Sequence, residues 1–352
     1  MIWYPLRLAT SSRSDDLGGR AIADVLGRSG LPDGPVLDSS EVSDDAGALV
    51  SEGVLAGTSL RTLVAEHPEE LVGPGWRGDR FPLSVTFVDG SGALPVHVRP
   101  AAAGRRAGAG AGTPPEDDAT GTWHVLAAAS GASAWCGVRE GTDADALRAG
   151  LLADDVGSVL RTLPVSAGDT VLVPGGAPHC FGPGTLLYEI QPGTTAPAAS
   201  LLRGGRHGSP GDDPERRAAV EAVVRATRAD AQATVRGAVA AAGDDGVRRL
   251  VCCDGPSVGL QRWRSAAPVT VLRRFASVQV LSNLGDPVRV RTSTWDGELG
   301  RARSLVLPAA LGRVHLQGRL DLLIGHLPTL RATPRSASAP GEVAVAGRSS
   351  AR

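Results

Sequence analysis

FPLSVTFVDGSGALPVHVRP, residues 81–100, alternates apolar and polar side chains through two short runs separated by Asp89-Gly90. A period of two predicts strand, turn and strand, because side chains two apart share one face of a sheet. In the second run His97 and Arg99 fall on the same face. A histidine there can ligate a metal through a ring nitrogen. An arginine cannot, because its guanidinium stays charged and has no free lone pair. The face therefore reads as a metal site, a lost metal site or an anion site.

The same punctuated pattern continues along the chain. TWHVLAAA (122–129), SAWCGVRE (133–140) and SVLRTLPVSAGDTVLVPGGAPHCFGPGTLLYEIQP (158–192) are short strand-like runs broken by Gly and Pro, with a short helix near 143–152. Runs of this kind return between 248 and 328. Such spacing predicts an all-β sandwich or barrel, here twice over. Helical character is expected at 20–30, at 58–72 with Ser59 as cap, and over 215–243 with Asp213 as cap and Pro214 at the first helical position. Residues 101–121 and 204–214 read as mobile linking segments and 331–352 as a disordered tail. The expected order is an N-terminal helical and β embellishment (1–80), a first barrel (81–203), a linker and helix (204–246), a second barrel (247–330) and the tail.

Composition narrows the function. With 352 residues, 42% hydrophobic content and a net charge near −1, the chain carries no electrostatic footprint for nucleic acid. No apolar stretch is long enough to span a bilayer, and the N-terminus lacks the core of a signal peptide. The expectation is a soluble, cytoplasmic monomer or homodimer acting on a small molecule, with no nucleic-acid or membrane partner. Cys136, Cys180, Cys252 and Cys253 lack C-x-x-C spacing and read as reduced thiols. The sequence contains no lysine, so no lysine base, Schiff-base nucleophile or phosphate anchor exists.

Several segments together resemble the type I mannose-6-phosphate isomerases, closest to the short bacterial form, from about residue 4 to residue 329. They are EVSDD (41–45), GVLAGTSLRTLVAEHPEELVG (53–73), the opening stretch, WHVLAAASGASAWCGVREG (123–141), AGDTVLVPGGAPHCFGPGTLLYEIQ (167–191) and LVLPAALGRVHLQG (305–318). The resemblance implies a mainly β bicupin, two jelly-roll barrels with N-terminal and inter-barrel helices, the first barrel holding a zinc ion. The family's V-Q-V-H-P motif falls on Val96-His97-Val98-Arg99-Pro100, so His97 stands in place of Gln and Arg99 in place of a ligating His. Its K-T-E motif falls on Ala119, Thr120 and Gly121, which removes a ligating Glu and a catalytic Lys. Its P-x-G-x-x-H is kept as Pro174, Gly176 and His179. The arginine of its T-T-Y-R segment is missing from GTTAPAAS (193–200), leaving Arg203 or Arg206 to substitute in substrate binding.

Zinc takes three or four N, O or S ligands, and only His97 and His179 remain at the implied positions. No cofactor is therefore expected, and any metal would have to rest on those two histidines. His124 and Cys180 turn away from the pocket face by alternation. The candidate site is His97, Arg99, His179 and Glu189 as catalytic groups, with Arg99 and Arg203 binding substrate. Three readings follow: a divergent metal-independent enzyme for a small polar or anionic sugar-like molecule; a non-catalytic sugar-phosphate-binding or structural relative; and an isomerase with a rebuilt metal site. His315, His326, Trp123, Trp135 and Tyr188 read as core or surface residues.

Overall fold

The computed structural model describes residues 1–44, 48–101, 119–193, 199–201, 213–241, 243, 245–255 and 257–328. The two runs of the opening stretch are both strands, Leu83–Gly90 and Val96–Val98, yet they do not pair with each other. The connection between them, which ends in Pro95, carries the chain from one sheet to the sheet facing it.

The first sheet has seven strands in the order Ser11–Gly19, Val36–Val42, Leu83–Gly90, Thr185–Pro192, Ala119–Ala128, Asp169–Pro174 and Thr234–Gly237, each antiparallel to its neighbours. The second has five: Ala199–Leu201, Val96–Val98, His179–Phe181, Ser133–Val138 and Leu160–Pro164. Their inner faces share one apolar cluster that includes Val88, Trp123, Val125, Ala134, Phe181 and Leu187. A six-stranded and a four-stranded sheet between Val239 and His326 build a second body of the same kind. The fold is mainly β with antiparallel sheets and a few helices, as the strand periodicity and the resemblance imply.

The two bodies meet through the outer face of the seven-stranded sheet. Leu83, Val85, Phe87, Leu186, Tyr188 and Ile190 belong to the same buried cluster as Leu260, Val280 and Leu322 of the second body. Strand Thr185–Pro192 is consequently buried on both faces over its first six residues. Tyr188 hydroxyl lies 3.0 Å from Ser282 Oγ, and a Cβ added at Gly325 would meet Ile190 Cδ1 at 2.4 Å.

Three local expectations change. The helix at 58–72 is capped by Ser59, which accepts from the Thr62 N–H, but it breaks at Glu66 and restarts at Pro68–Leu71. Proline lacks the N–H and clashes with the preceding turn, so Pro68 opens a new helix instead of continuing the old one. Helix Pro214–Ala226 is capped by Asp213 and stops at Thr227. The residues beyond it form Thr234–Gly237, where pairing with Asp169–Pro174 outweighs helix propensity. The helical character of 20–30 reduces to Ala21–Asp24, and the neighbouring residues 11–19 and 36–42 join the first sheet. Most of 101–121 and 204–214, and all of 331–352, lie outside the described residues. All four cysteines are buried free thiols.

A buried ion pair ties the N-terminal region to both bodies. Arg28 Nη1 lies 2.6 Å from Glu41 Oε1, with both side chains almost fully enclosed. Arg28 also donates to Thr10 Oγ1 at 3.0 Å and to the Ala302 carbonyl of the second body. Among the described residues Arg28 Nε and Glu41 Oε2 find no hydrogen-bond partner, and burial raises the Glu41 pKa despite the guanidinium. Breaking such a pair from one side strands a charge, whereas replacing both sides need not. Glu41→Ala should therefore destabilise the protein by about 3–5 kcal/mol in urea unfolding. The Arg28→Met/Glu41→Leu double variant should recover most of that loss; equal loss in both would show that the pair specifies the fold through its charges.

Candidate functional site

The first barrel encloses a cavity between its two sheets with about 140 Å³ of space for small molecules. One water needs roughly 10–15 Å³ by the same measure, so the space suits a ligand of monosaccharide size. Its walls carry His97, Arg99 and His179 from the five-stranded side and Arg13, Asp38, Trp123 and Glu189 from the seven-stranded side.

Backbone pairing sets the imidazoles. His97 and His179 are directly opposed partners of antiparallel strands, with ring centroids 6.2 Å apart. The PGGAP turn that precedes His179 is fixed at Gly176, whose φ of 83° suits glycine and whose N–H donates to the Arg99 carbonyl at 2.7 Å. A Cβ at Gly175 would sit 2.6 Å from Ala101 Cα. The turn thus holds His179 and the backbone of Arg99 together. His179 Nδ1 lies 3.0 Å from the Ala177 carbonyl, which requires the proton on Nδ1 and leaves Nε2 as an acceptor.

The charged groups are paired, Arg99 with Glu189 across the cavity and Arg13 with Asp38 between neighbouring strands of one sheet. Arg99 Nη2 is 3.5 Å from Glu189 Oε1, and Arg13 Nη2 is 2.8 Å from Asp38 Oδ2. Burial raises the Glu189 pKa to about 7, opposed by Arg99 and reinforced by Asp38. Burial lowers His97 to about 4, helped by the charges of Arg99 and Arg13. His179 is lowered to about 3, chiefly by burial. Both imidazoles are neutral at physiological pH.

Alternation was a sound guide to direction. His97 and Arg99 share the cavity, whereas His124 turns outward, with Nδ1 3.0 Å from Thr170 Oγ1 and the second body's Arg262 and Asp321 nearby. Cys180 borders the cavity, but its packing cluster is that of Val96, Val98, Leu201 and Val220, under helix Pro214–Ala226. Arg203 and Arg206 lie outside the described residues. The sequence reading missed Arg13 and Asp38; neither SSRSDDLGG (11–19) nor VLDSSEV (36–42) carries an apolar–polar alternation that would place them. Trp123, read as core, forms cavity wall and packs at 6.0 Å from the His179 ring.

The zinc implied by the resemblance does not fit these residues. Among the described residues no three His, Cys, Asp or Glu side chains converge as a metal group. The position expected to hold a glutamate is Gly121, and the one expected to hold a histidine is Arg99. A dication roughly 5 Å from a guanidinium is disfavoured by roughly 7 kcal/mol at an effective dielectric of about 20.

A two-barrel cupin protein with its cavity in the first barrel is the class that fold and site define. Among known proteins, the chain is 34% identical over 144 residues to the mannose-6-phosphate isomerase of Streptococcus mutans, covering 41% of this chain and 43% of that one. It is 26% identical over 201 residues to a probable mannose-6-phosphate isomerase of Bacillus subtilis, covering 53% and 58%. The matches thus span about half the length of those relatives. In structure it superposes on the mannose 6-phosphate isomerase of Bacillus subtilis with a TM-score of 0.73 at 21% identity, over 92% of this chain and all of the other. The Salmonella typhimurium enzyme in its apo form gives 0.65 at 11% identity, over 93% and 100%. No family model matches the sequence. The chain is thus similar to mannose-6-phosphate isomerases in sequence over about half of its length and in fold over most of it. Among the described residues no helix is long and apolar enough to cross a membrane.

The pKa shifts translate into opposite pH trends. Glu189 holds its proton to about pH 7 when folded but only to about 4.5, its ordinary value, when unfolded. Its contribution to stability therefore falls as pH rises from 4.5 through 7, by at most about 3 kcal/mol. His97 and His179 are harder to protonate when folded, so their contribution falls as pH drops below 6.5 toward 4 and 3. Urea midpoints across pH should show Glu189→Gln removing the decline between 4.5 and 7. His179→Gln should flatten the acid limb and leave that decline in place.

Proposed function

We propose that the first barrel is a metal-independent site for a small polar, sugar-like molecule, and that it works on this ligand by proton transfer. The observation that carries the reading is the replacement of a metal donor set by organic groups facing one cavity. Two neutral imidazoles stand side by side, and a carboxyl group poised near neutrality faces Arg99. A glutamate raised to about 7 suits a general base at physiological pH. In this reading Glu189 takes a proton from the carbon beside a carbonyl and returns it to the former carbonyl carbon, while the hydroxyl proton passes from the neighbouring oxygen to the carbonyl oxygen. Neutral His97 and the acceptor Nε2 of His179 hold the ligand's hydroxyl groups, and Arg99 carries positive charge toward the oxygen that becomes negative. The chemistry belongs with the aldose–ketose class suggested by the names of the relatives, without their inferred metal.

One observation favours a second, non-catalytic reading. Imidazoles with pKa values near 4 and 3 are weak bases, so His97 and His179 serve better as hydrogen-bonding groups than as proton carriers. A sugar-binding protein would need no more.

Metal content and turnover separate the readings. Purified protein should contain much less than one zinc per chain, and any interconversion of mannose 6-phosphate and fructose 6-phosphate, or of the free sugars, should survive chelation. Stoichiometric zinc with activity lost to a chelator would overturn the proposal in favour of a rebuilt metal site. Turnover abolished in Glu189→Gln but retained in the wild type would support catalysis; saturable binding without turnover would support the second reading. As a complement, the variant His97→Gln/Arg99→His/Gly121→Glu should retain zinc through gel filtration where the wild type does not. A Cβ at Gly121 meets only Trp123 Nε1, at 3.5 Å, so a side chain can enter there.

A further inference from the structure

We infer that the ligand of the first barrel is an uncharged polyhydroxylated molecule of the monosaccharide class, and that the cavity discriminates against phosphorylated sugars. This rests on reading the cavity as the functional site and deepens it by naming the charge of what enters.

Every fixed cation in the described wall already has an anion beside it. Arg13 places Nε and Nη2 at 2.9 and 2.8 Å from Asp38 Oδ2, and Arg99 places Nη2 at 3.5 Å from Glu189 Oε1. With both acids ionised, the formal charge of the lining is zero. A phosphate monoester brings roughly −1.5 to −2 charges at neutral pH. To enter, it would have to share an arginine with Glu189 or Asp38 and remain beside that carboxylate. Among the described residues the wall holds no further cation to offset that repulsion.

The same arrangement suits hydroxyl groups. A sugar hydroxyl is at once donor and acceptor, and an arginine beside a carboxylate offers both partners a few ångströms apart. His179 Nε2 adds an acceptor, since its Nδ1 proton faces the Ala177 carbonyl. Trp123 and Phe181, packed with ring centroids 5.0 Å apart, supply an aromatic wall for the C–H face of a sugar ring.

Calorimetric titration of the full chain at pH 8, where Glu189 is ionised, tests this with D-mannose, D-fructose, their 6-phosphates and inorganic phosphate. The free sugars should saturate, with the 6-phosphates at least tenfold weaker. Glu189→Gln, shown to be folded by its melting curve, should gain at least tenfold in affinity for inorganic phosphate and the 6-phosphates, because Arg99 loses its counter-charge. Wild-type preference for the 6-phosphates, or no phosphate gain in a folded Glu189→Gln, overturns the inference and leaves the cavity standing as the site. Absence of binding by any of these probes, in wild type and variant alike, overturns both.

Discussion

The central strands of the seven-stranded sheet are buried on both faces, and this constraint governs the rest of the molecule. Along Thr185–Pro192, Leu187 and Glu189 face the barrel interior while Leu186, Tyr188 and Ile190 face the second body. Along Ala119–Ala128, Trp123 and Val125 face inward, whereas Thr122 lies 3.7 Å from Cys253 Sγ of the second body. A one-residue slip of either strand would exchange the two sets at once. Burial of large apolar side chains between the bodies therefore fixes the register that delivers Glu189 and Trp123 to the cavity.

Within the cavity, each arginine of the described wall has a carboxylate beside it. A buried carboxylate and a buried guanidinium are each costly to remove from water, and pairing offsets part of that cost. Glu189 keeps a raised pKa even so, which shows that desolvation outweighs the attraction of Arg99. The result is a polar site of low net charge in a largely apolar barrel.

The fold was legible because period-two patterns and Gly-Pro punctuation are local signals. His97 and Arg99 could be placed on one face from their spacing alone, and His124 could be turned away by the same rule. Other features depended on contacts distant in sequence. The β-branched Thr234 and Val235 and Gly237 weaken a continuing helix only locally; the segment's pairing as a strand depends on the edge that Asp169–Pro174 presents. Arg13 and Asp38 reach the cavity only because two N-terminal strands add to the sheet beside Leu83–Gly90. Glu189 was recognised as the nearest carboxylate, but its pairing with Arg99 joins strands from opposite sheets. Long-range register of this sort is set by packing across the whole barrel, which a pattern of spacings does not encode.

The double burial of that sheet also has a meaning for how such a protein changes. Positions 97, 99, 121, 123, 179 and 189 belong to one side of the strand alternation, and positions 122, 124, 186, 188 and 190 to the other. Substitutions in the first group alter what the cavity holds without touching the seam between the bodies. The scaffold can consequently exchange one chemistry for another while its architecture stays intact, and a metal-ligating alphabet can be rewritten letter by letter on an unaltered page.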